Sequence, residues 1–408
     1  MKRNIKWYFR KYKYNDDKSM LKYLGFILLL VTVGFYSVAN SNKIITGAEQ
    51  PEKYLPLIEN KRVGLVVNHT SMIGDVHLAD FLLSKKVKVD KIFAPEHGFR
   101  GDVSAGEEIK DGIDSKTGIP VLSLYGQTKK PTAAQLQNLD VLIFDIQDVG
   151  CRFYTYISTL HLVLEACAEN NIPLIVFDRP NPNGDYVAGP VLKPGFESFV
   201  GMDPIPVVHG CTVGEMAKMI NGEKWHKAAK ICDLHVIPVQ NYVHSTKYEL
   251  PVSPSPNLPN YLSVRMYPSL CFFEATSVSV GRGTDFPFQV LGGPKKNMGE
   301  FQFTPKVIPG VAVDPVNEGK ICYGVDLRLL NEIPKFTLKF FIDFYNKYEN
   351  KAEFLIREKW FNTLAGNDEL LDQIKKGKTE QEIFEAMDPD LEKYKLIRKK
   401  YLIYPDFE

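Results

Sequence analysis

Five runs of apolar residues recur through the first half of the chain, and each stops abruptly where the side chains change character. Residues 62–67 end at Asn68–His69–Thr70–Ser71, and residues 87–94 end at Pro95–Glu96–His97–Gly98–Phe99–Arg100. Residues 120–125 end at Gly126, residues 141–144 at Asp145–Ile146–Gln147–Asp148–Val149–Gly150, and residues 173–177 at Asp178–Arg179–Pro180–Asn181. Runs this short, rich in β-branched residues and apolar throughout, predict strands buried on both faces. Between them, residues 76–84, 132–139 and 160–168 carry apolar positions at helical spacing, with Thr132 as an N-cap.

Strands alternating with helices predict an α/β fold with a Rossmann-like parallel sheet over residues 40–185. Ligands of such sheets bind beyond the carboxyl ends of the strands, so the polar clusters should converge on one site. The loop 98–118 is longer than the ~12–15 residues usual for a structureless connection and is expected to act as a functional flap. After residue 185 the texture changes: Pro and Gly become frequent, and short β-rich segments at 234–238, 276–280 and 322–329 alternate with helices. Residues 186–408 are therefore expected to form a second, α+β domain, with the active-site cleft between the two. Residues 336–401 read as largely helical, and Tyr401–Leu402–Ile403–Tyr404–Pro405 is expected to dock back onto the body.

Charge narrows the partners. Lys+Arg 50 against Asp+Glu 49 leaves no global field to attract nucleic acid. The basic residues that do cluster lie in residues 1–13, ahead of an apolar run at 24–38 that ends in Ser37–Val38–Ala39. That pattern reads as a signal peptide over residues 1–39, sending the protein to the periplasm or outside the cell. Met20, just before Leu21–Lys22–Tyr23, would start a signal peptide of ordinary proportions. The rival reading is an uncleaved membrane anchor, although the run falls short of the ~20 apolar residues a spanning helix needs.

Six cysteines stand singly, none in a Cys-x-x-Cys pair, and are expected to be buried free thiols. There is no Gly-x-Gly-x-x-Gly after the first strand and no Gly-Lys-Ser/Thr loop, so no nucleotide cofactor is expected.

Four motifs carry a resemblance: Pro95–Glu96–His97–Gly98; Asp145 to Gly150 followed by Arg152–Phe153–Tyr154–Thr155–Tyr156; Asp178–Arg179–Pro180–Asn181–Pro182; and Gly281–Arg282–Gly283–Thr284. Together they resemble the exo-β-N-acetylmuramidase family of glycoside hydrolases, long catalogued as a domain of unknown function. The similarity runs from about Arg62 to Phe407, with a departure at Val280, where many relatives carry an acidic residue. It implies release of N-acetylmuramic acid from the non-reducing ends of peptidoglycan fragments, with a muropeptide or peptidoglycan-derived saccharide as substrate.

Glycosidic cleavage needs an acid for the leaving oxygen and a second group at the anomeric carbon. Glu96, at the apolar end of a strand, is the first candidate for the acid. Asp148, Asp145, Glu274 and the substrate's own 2-acetamido oxygen compete for the second role, and Asp145 could equally organise its loop. His97 is placed with the catalytic group, and His69 and His97 could orient Glu96 or meet sugar hydroxyls. A metal site built on these histidines is the alternative, against which stands the absence of a close-spaced ligand motif, so no metal is assigned.

Asn68, Arg100, Gln147, Asn181, His209 and Asn257 complete the expected substrate contacts. Tyr154 could stack on a pyranose or simply pack. Arg152, Arg179 and Arg282 are candidates to pair with the lactyl carboxylate of muramic acid. The competing functions are a non-catalytic binder of cell-wall sugars and a metal-dependent hydrolase.

Overall fold

β1 (Arg62–Val67) is apolar at five successive positions and all five are buried, which suits it to the middle of a sheet covered on both faces. The computed structural model describes residues 43–100 and 111–408. The expected signal segment and residues 101–110 of the expected flap lie outside the described residues. After β1 come the short hairpin β2 (Met72–Ile73) and β3 (Val76–His77), then β4 (Lys88–Ala94), β5 (Gly112–Ile113), β6 (Pro120–Ser123), β7 (Val141–Asp145) and β8 (Leu174–Phe177). The second half adds the antiparallel pair β9 (Ala188–Val191) and β10 (Pro206–Val208), then β11 (Leu234–Ile237). A small antiparallel sheet follows, with β12 (Val290–Gly293), β13 (Phe301–Phe303) and β14 (Cys322–Asp326) in the order β12-β14-β13.

The main sheet has the order β11-β8-β7-β1-β4-β6-β5, parallel throughout except for β5 against β6. The chain leaves β1 toward β4 and β6, then crosses back to β7 on the other flank of β1. That reversal makes the carboxyl ends of β1 and β7 a topological switch point, where connecting loops splay apart and leave room for a ligand.

Side-chain alternation sorts the two faces. Val63, Leu65 and Val67 join Ile92, Ile143, Ile175 and Phe177 in a core closed by Leu78 and Leu82. Val66, Phe93, Leu142, Phe144 and Val176 point the other way, onto Leu160, Val163 and Leu164 of the helix Tyr156–Asn170. This second core runs on without a break into Phe272, Phe273, Phe341, Phe354 and Phe361, so Ile44–Glu408 packs as one unit.

Several boundaries differ from the sequence expectation. The helix expected from residue 76 begins at Leu78, because His77 is extended and its Nδ1 accepts the Ala79 amide at 3.2 Å as a cap. Residues 276–280 form no strand; Thr276 and Ser279 make isolated bridges to Leu355 and Gly292. Leu234–Ile237, grouped by sequence with the second half, pairs in parallel with β8 and extends the main sheet. All six cysteines are free and buried. Among the described residues no helix is long and apolar enough to cross a membrane.

The carboxyl-terminal segment docks onto the sheet through buried polar groups. Tyr404 donates its hydroxyl to Asp178 at 2.5 Å and accepts the Val239 amide at 2.8 Å, while Glu215 accepts the Ile403 amide at 2.8 Å and meets His244 Nε2 at 3.0 Å. Asp178 also accepts from Thr212 and the Gly214 amide, yet burial pushes its carboxyl up to about 6. Because the folded value lies above the unfolded one, the folded chain holds a proton that the unfolded chain has lost between pH 4 and pH 6. Stability from this group is full below that window and falls as pH rises through it, by about 3 kcal/mol. Asp178→Asn should remove the effect. In urea titrations the wild type is expected to weaken relative to the variant from pH 4 to pH 7, and a constant difference would refute it. The buried histidines, whose pKa values are lowered, cancel in that comparison.

Candidate active site

Glu96 follows the end of β4, and the two residues after it both take left-handed backbone, His97 with φ 71° and Gly98 with φ 79°. That conformation is unfavourable for a residue with a side chain, so His97 is held there by its surroundings, in which it is 3% exposed. The turn closes with the Gly98 amide donating to the Pro95 carbonyl at 3.0 Å. Glu96 Oε2 accepts the Thr155 hydroxyl at 2.7 Å. Thr155 is the N-cap of the helix Tyr156–Asn170 but makes no capping bond, so its hydroxyl serves the carboxylate instead. Tyr125, just beyond β6, lies close enough to Glu96 that the carboxylate adds to burial in raising its phenol well above the ordinary value.

The loop after β1 ties this corner to β7. Asn68 Nδ2 donates to the Tyr156 hydroxyl at 2.8 Å and its Oδ1 accepts from the Thr70 amide and hydroxyl. Thr70 Oγ1 accepts the Gln147 amide at 3.0 Å, and Ser71 donates to the Asp145 carbonyl. Tyr156 in turn donates to the Glu96 carbonyl at 3.3 Å. His69 reaches the Ser253 carbonyl at 2.8 Å through Nε2, and burial lowers its pKa, helped by the nearby imidazoles of His97 and His77. Tyr154 donates to the Pro254 carbonyl at 2.7 Å and packs edge-on to Tyr156 at 4.9 Å. The segment around Ser253 and Pro254 is thus clamped against the strand ends.

Asp148 and His209 form a second buried polar pair. Asp148 Oδ2 accepts the Gly150 amide at 2.6 Å and lies 3.8 Å from His209 Nε2. His209 Nδ1 accepts the Cys211 amide, which leaves Nε2 to carry the ring proton. Asp148 Oδ1 and His209 Nε2 are both buried without a hydrogen-bond partner, a matched acceptor and donor. Gly150, with φ 76°, is required in this loop, because a Cβ there would lie 2.1 Å from Asn181 Oδ1.

The other expected contacts have structural partners. All four hydrogen bonds of the Arg152 Nη atoms go to backbone carbonyls, those of Pro190, Ile205, Leu364 and Ala365, at 2.7–2.8 Å. It is 1% exposed, and burial pushes its guanidinium down to about 10. Arg152 is therefore a buried brace and not a receptor for a substrate carboxylate. Arg179 holds Asp145 through Nε and Nη2, at 2.6 and 2.9 Å, so Asp145 anchors an arginine rather than facing substrate. Arg282 is paired with Glu274 at 2.7 Å and lies over the Phe288 ring. Arg100 pairs with Asp114 and stacks on Phe99.

Gln147 donates to the Asp148 and Pro180 carbonyls, Asn181 to the Cys211 carbonyl, and Asn257 to the Val311 carbonyl; these amides hold loops together. Arg282 connects toward the site through packed rings, by way of Phe288, Tyr267 and Tyr154. Among the described residues no group of three or more His, Cys, Asp or Glu side chains is arranged to hold a metal ion. Thr155, which donates to the Glu96 carboxylate, and Tyr125, whose phenol feels it, were missing from the sequence-derived set. Tyr125 ends the third apolar run, so the same strand-end rule that selected Glu96 would have found it.

Comparison with known proteins accords with this geometry. Residues 63–262 match the family described as exo-beta-N-acetylmuramidase NamZ, N-terminal, and residues 265–404 match its C-terminal counterpart. A peptidoglycan beta-N-acetylmuramidase NamZ from Bacillus subtilis (strain 168) is 39% identical over 391 residues, 90% of this chain and 92% of that protein. A crystal structure of a DUF1343 family protein from Bacteroides fragilis NCTC 9343 superposes with a TM-score of 0.83 at 46% identity, covering 90% of this chain and 100% of that one. A second from the same organism gives 0.77 at 29% identity, covering 88% and 99%. Since the two family descriptions follow one another in order through both halves of the molecule, the chain belongs to the exo-beta-N-acetylmuramidase NamZ family.

Proposed function

We propose that this protein is an exo-acting glycoside hydrolase that releases N-acetylmuramic acid from the non-reducing ends of peptidoglycan fragments. The observation that carries the reading is Glu96, a carboxylate at the carboxyl edge of a parallel sheet, with one oxygen fixed by the Thr155 hydroxyl in a chain of muramidase ancestry. A carboxyl group so held is suited to protonate a glycosidic oxygen. For the second role the surroundings favour the substrate's own 2-acetamido oxygen. Glu274 is occupied by Arg282, and Asp148 is buried and tied into its loop by the Gly150 amide.

The same reading puts the enzyme outside the cytoplasm, where cell-wall fragments occur, with residues 1–39 as its export segment. A chromogenic N-acetylmuramide and the matching N-acetylglucosaminide, assayed in cell-envelope, medium and cytosolic fractions, test both parts. Hydrolysis of the muramide outside the cytosol is expected. Saturable binding without turnover would leave a sugar-binding protein, and activity confined to the cytosol would remove the export reading.

A further inference from the structure

With Arg152, Arg179 and Arg282 all engaged, the lactyl carboxylate of a muramide needs another cation. One is linked to the Glu96 corner through two aromatic rings. Tyr125, whose phenol feels the Glu96 carboxylate, has its ring 6.1 Å from that of Phe199 at 53°, and Lys129 Nζ lies 4.7 Å from the Phe199 centroid. All three side chains are half-buried. Lys129 makes no ion pair among the described residues, whereas its neighbour Lys130 is taken by Glu165 and Glu169.

Phe199 sits on a braced loop. Ser198 and Gly201 exchange backbone hydrogen bonds of 2.9 and 3.0 Å, and the Arg152 side chain packs directly against Gly201. Two residues on, Asp203 is pinned to His161 at 2.8 Å, within the helix whose first turn carries Tyr156. The nearest carboxylate in sequence, Glu197, is turned onto the Gly195 amide at 2.8 Å. The braced loop thus presents the Phe199 ring between Tyr125 and the ammonium of Lys129, which has no carboxylate partner among the described residues.

We propose that Tyr125, Phe199 and Lys129 form the subsite that receives the muramic acid residue, the rings covering an apolar pyranose face and the Lys129 ammonium pairing with the lactyl carboxylate. This rests on the muramidase reading and assigns its selectivity. The ammonium is already desolvated on one side by the Phe199 ring, so a carboxylate arriving there meets a positioned charge. A lysine accepts a carboxylate from a range of directions, which suits a flexible lactyl ether better than a bidentate fork would.

Lys129→Met, Lys129→Arg and Phe199→Ala separate the parts, with melting curves to confirm folding. Lys129→Met is expected to lower kcat/KM on an aryl N-acetylmuramide at least ~10-fold and to spare the glucosaminide, with Lys129→Arg recovering most of the loss. Phe199→Ala should raise KM for both. Where the glucosaminide reacts too slowly, inhibition by N-acetylmuramic acid and by its lactyl methyl ester gives the same contrast, and only the free acid should weaken in Lys129→Met. An unchanged preference in Lys129→Met, or equal losses on both substrates, would overturn the subsite while leaving the muramidase reading intact. A wild-type protein that cleaves neither glycoside and binds neither inhibitor would overturn that reading and the subsite with it.

Discussion

Glu96→Gln is expected to cut turnover on an unactivated muramyl disaccharide by at least ~10²-fold, the lower end of what a general acid contributes, with an unchanged melting curve. Glutamine keeps the length and an oxygen that can accept from Thr155, so the turn at His97 and Gly98 loses no partner it needs. What it loses is the proton. An aryl glycoside with an activated leaving group needs little protonation and should suffer less, which separates loss of the acid from loss of binding. Near-normal cleavage of the disaccharide by the variant would reject Glu96 as the acid.

Arg152→Met is expected to destabilise the folded chain by ~3 kcal/mol or more, read as a lower urea midpoint at unchanged slope. Four carbonyls lose a charged donor, at ~1–3 kcal/mol for each group left unsatisfied, and relief of the buried charge offsets part of that sum. Two of the carbonyls, Leu364 and Ala365, end the helix Glu358–Ala365, where a cation also favours the helix dipole. Whatever activity survives should fall equally on muramide and glucosaminide, because the guanidinium braces the molecule and does not read the substrate. A selective loss on the muramide at full stability would return Arg152 to carboxylate recognition.

Much of the architecture was legible in local pattern. The runs that became β1, β7 and β8 are apolar almost without a break, which is what burial on both faces demands, and the abrupt polar end of β4, whose last three residues are buried, pointed to Glu96. The docking of Tyr404 was legible too, since an aromatic cluster at a chain end has little reason to exist unless it is covered. Residues 276–280 misled, because β-branched residues there are buried by packing and only bridge to other segments at isolated points.

Local pattern carries the periodicity of a strand, the glycine a turn requires and the residue at a strand's end, because each depends on backbone conformation within a few positions. It carries no information on which distant groups satisfy a side chain. Arg152 and Arg179 read from sequence as free cations for a ligand, yet one is consumed by carbonyls 212 and 213 positions away and the other by Asp145, 34 positions back. Thr155 reaches Glu96 across 59 positions, and the ring of Phe199 meets that of Tyr125 only through the fold. Tertiary structure decided these matters because a buried charge must find its partners among whatever polar groups packing brings beside it, so a guanidinium held by such partners is fixed where the fold needs it.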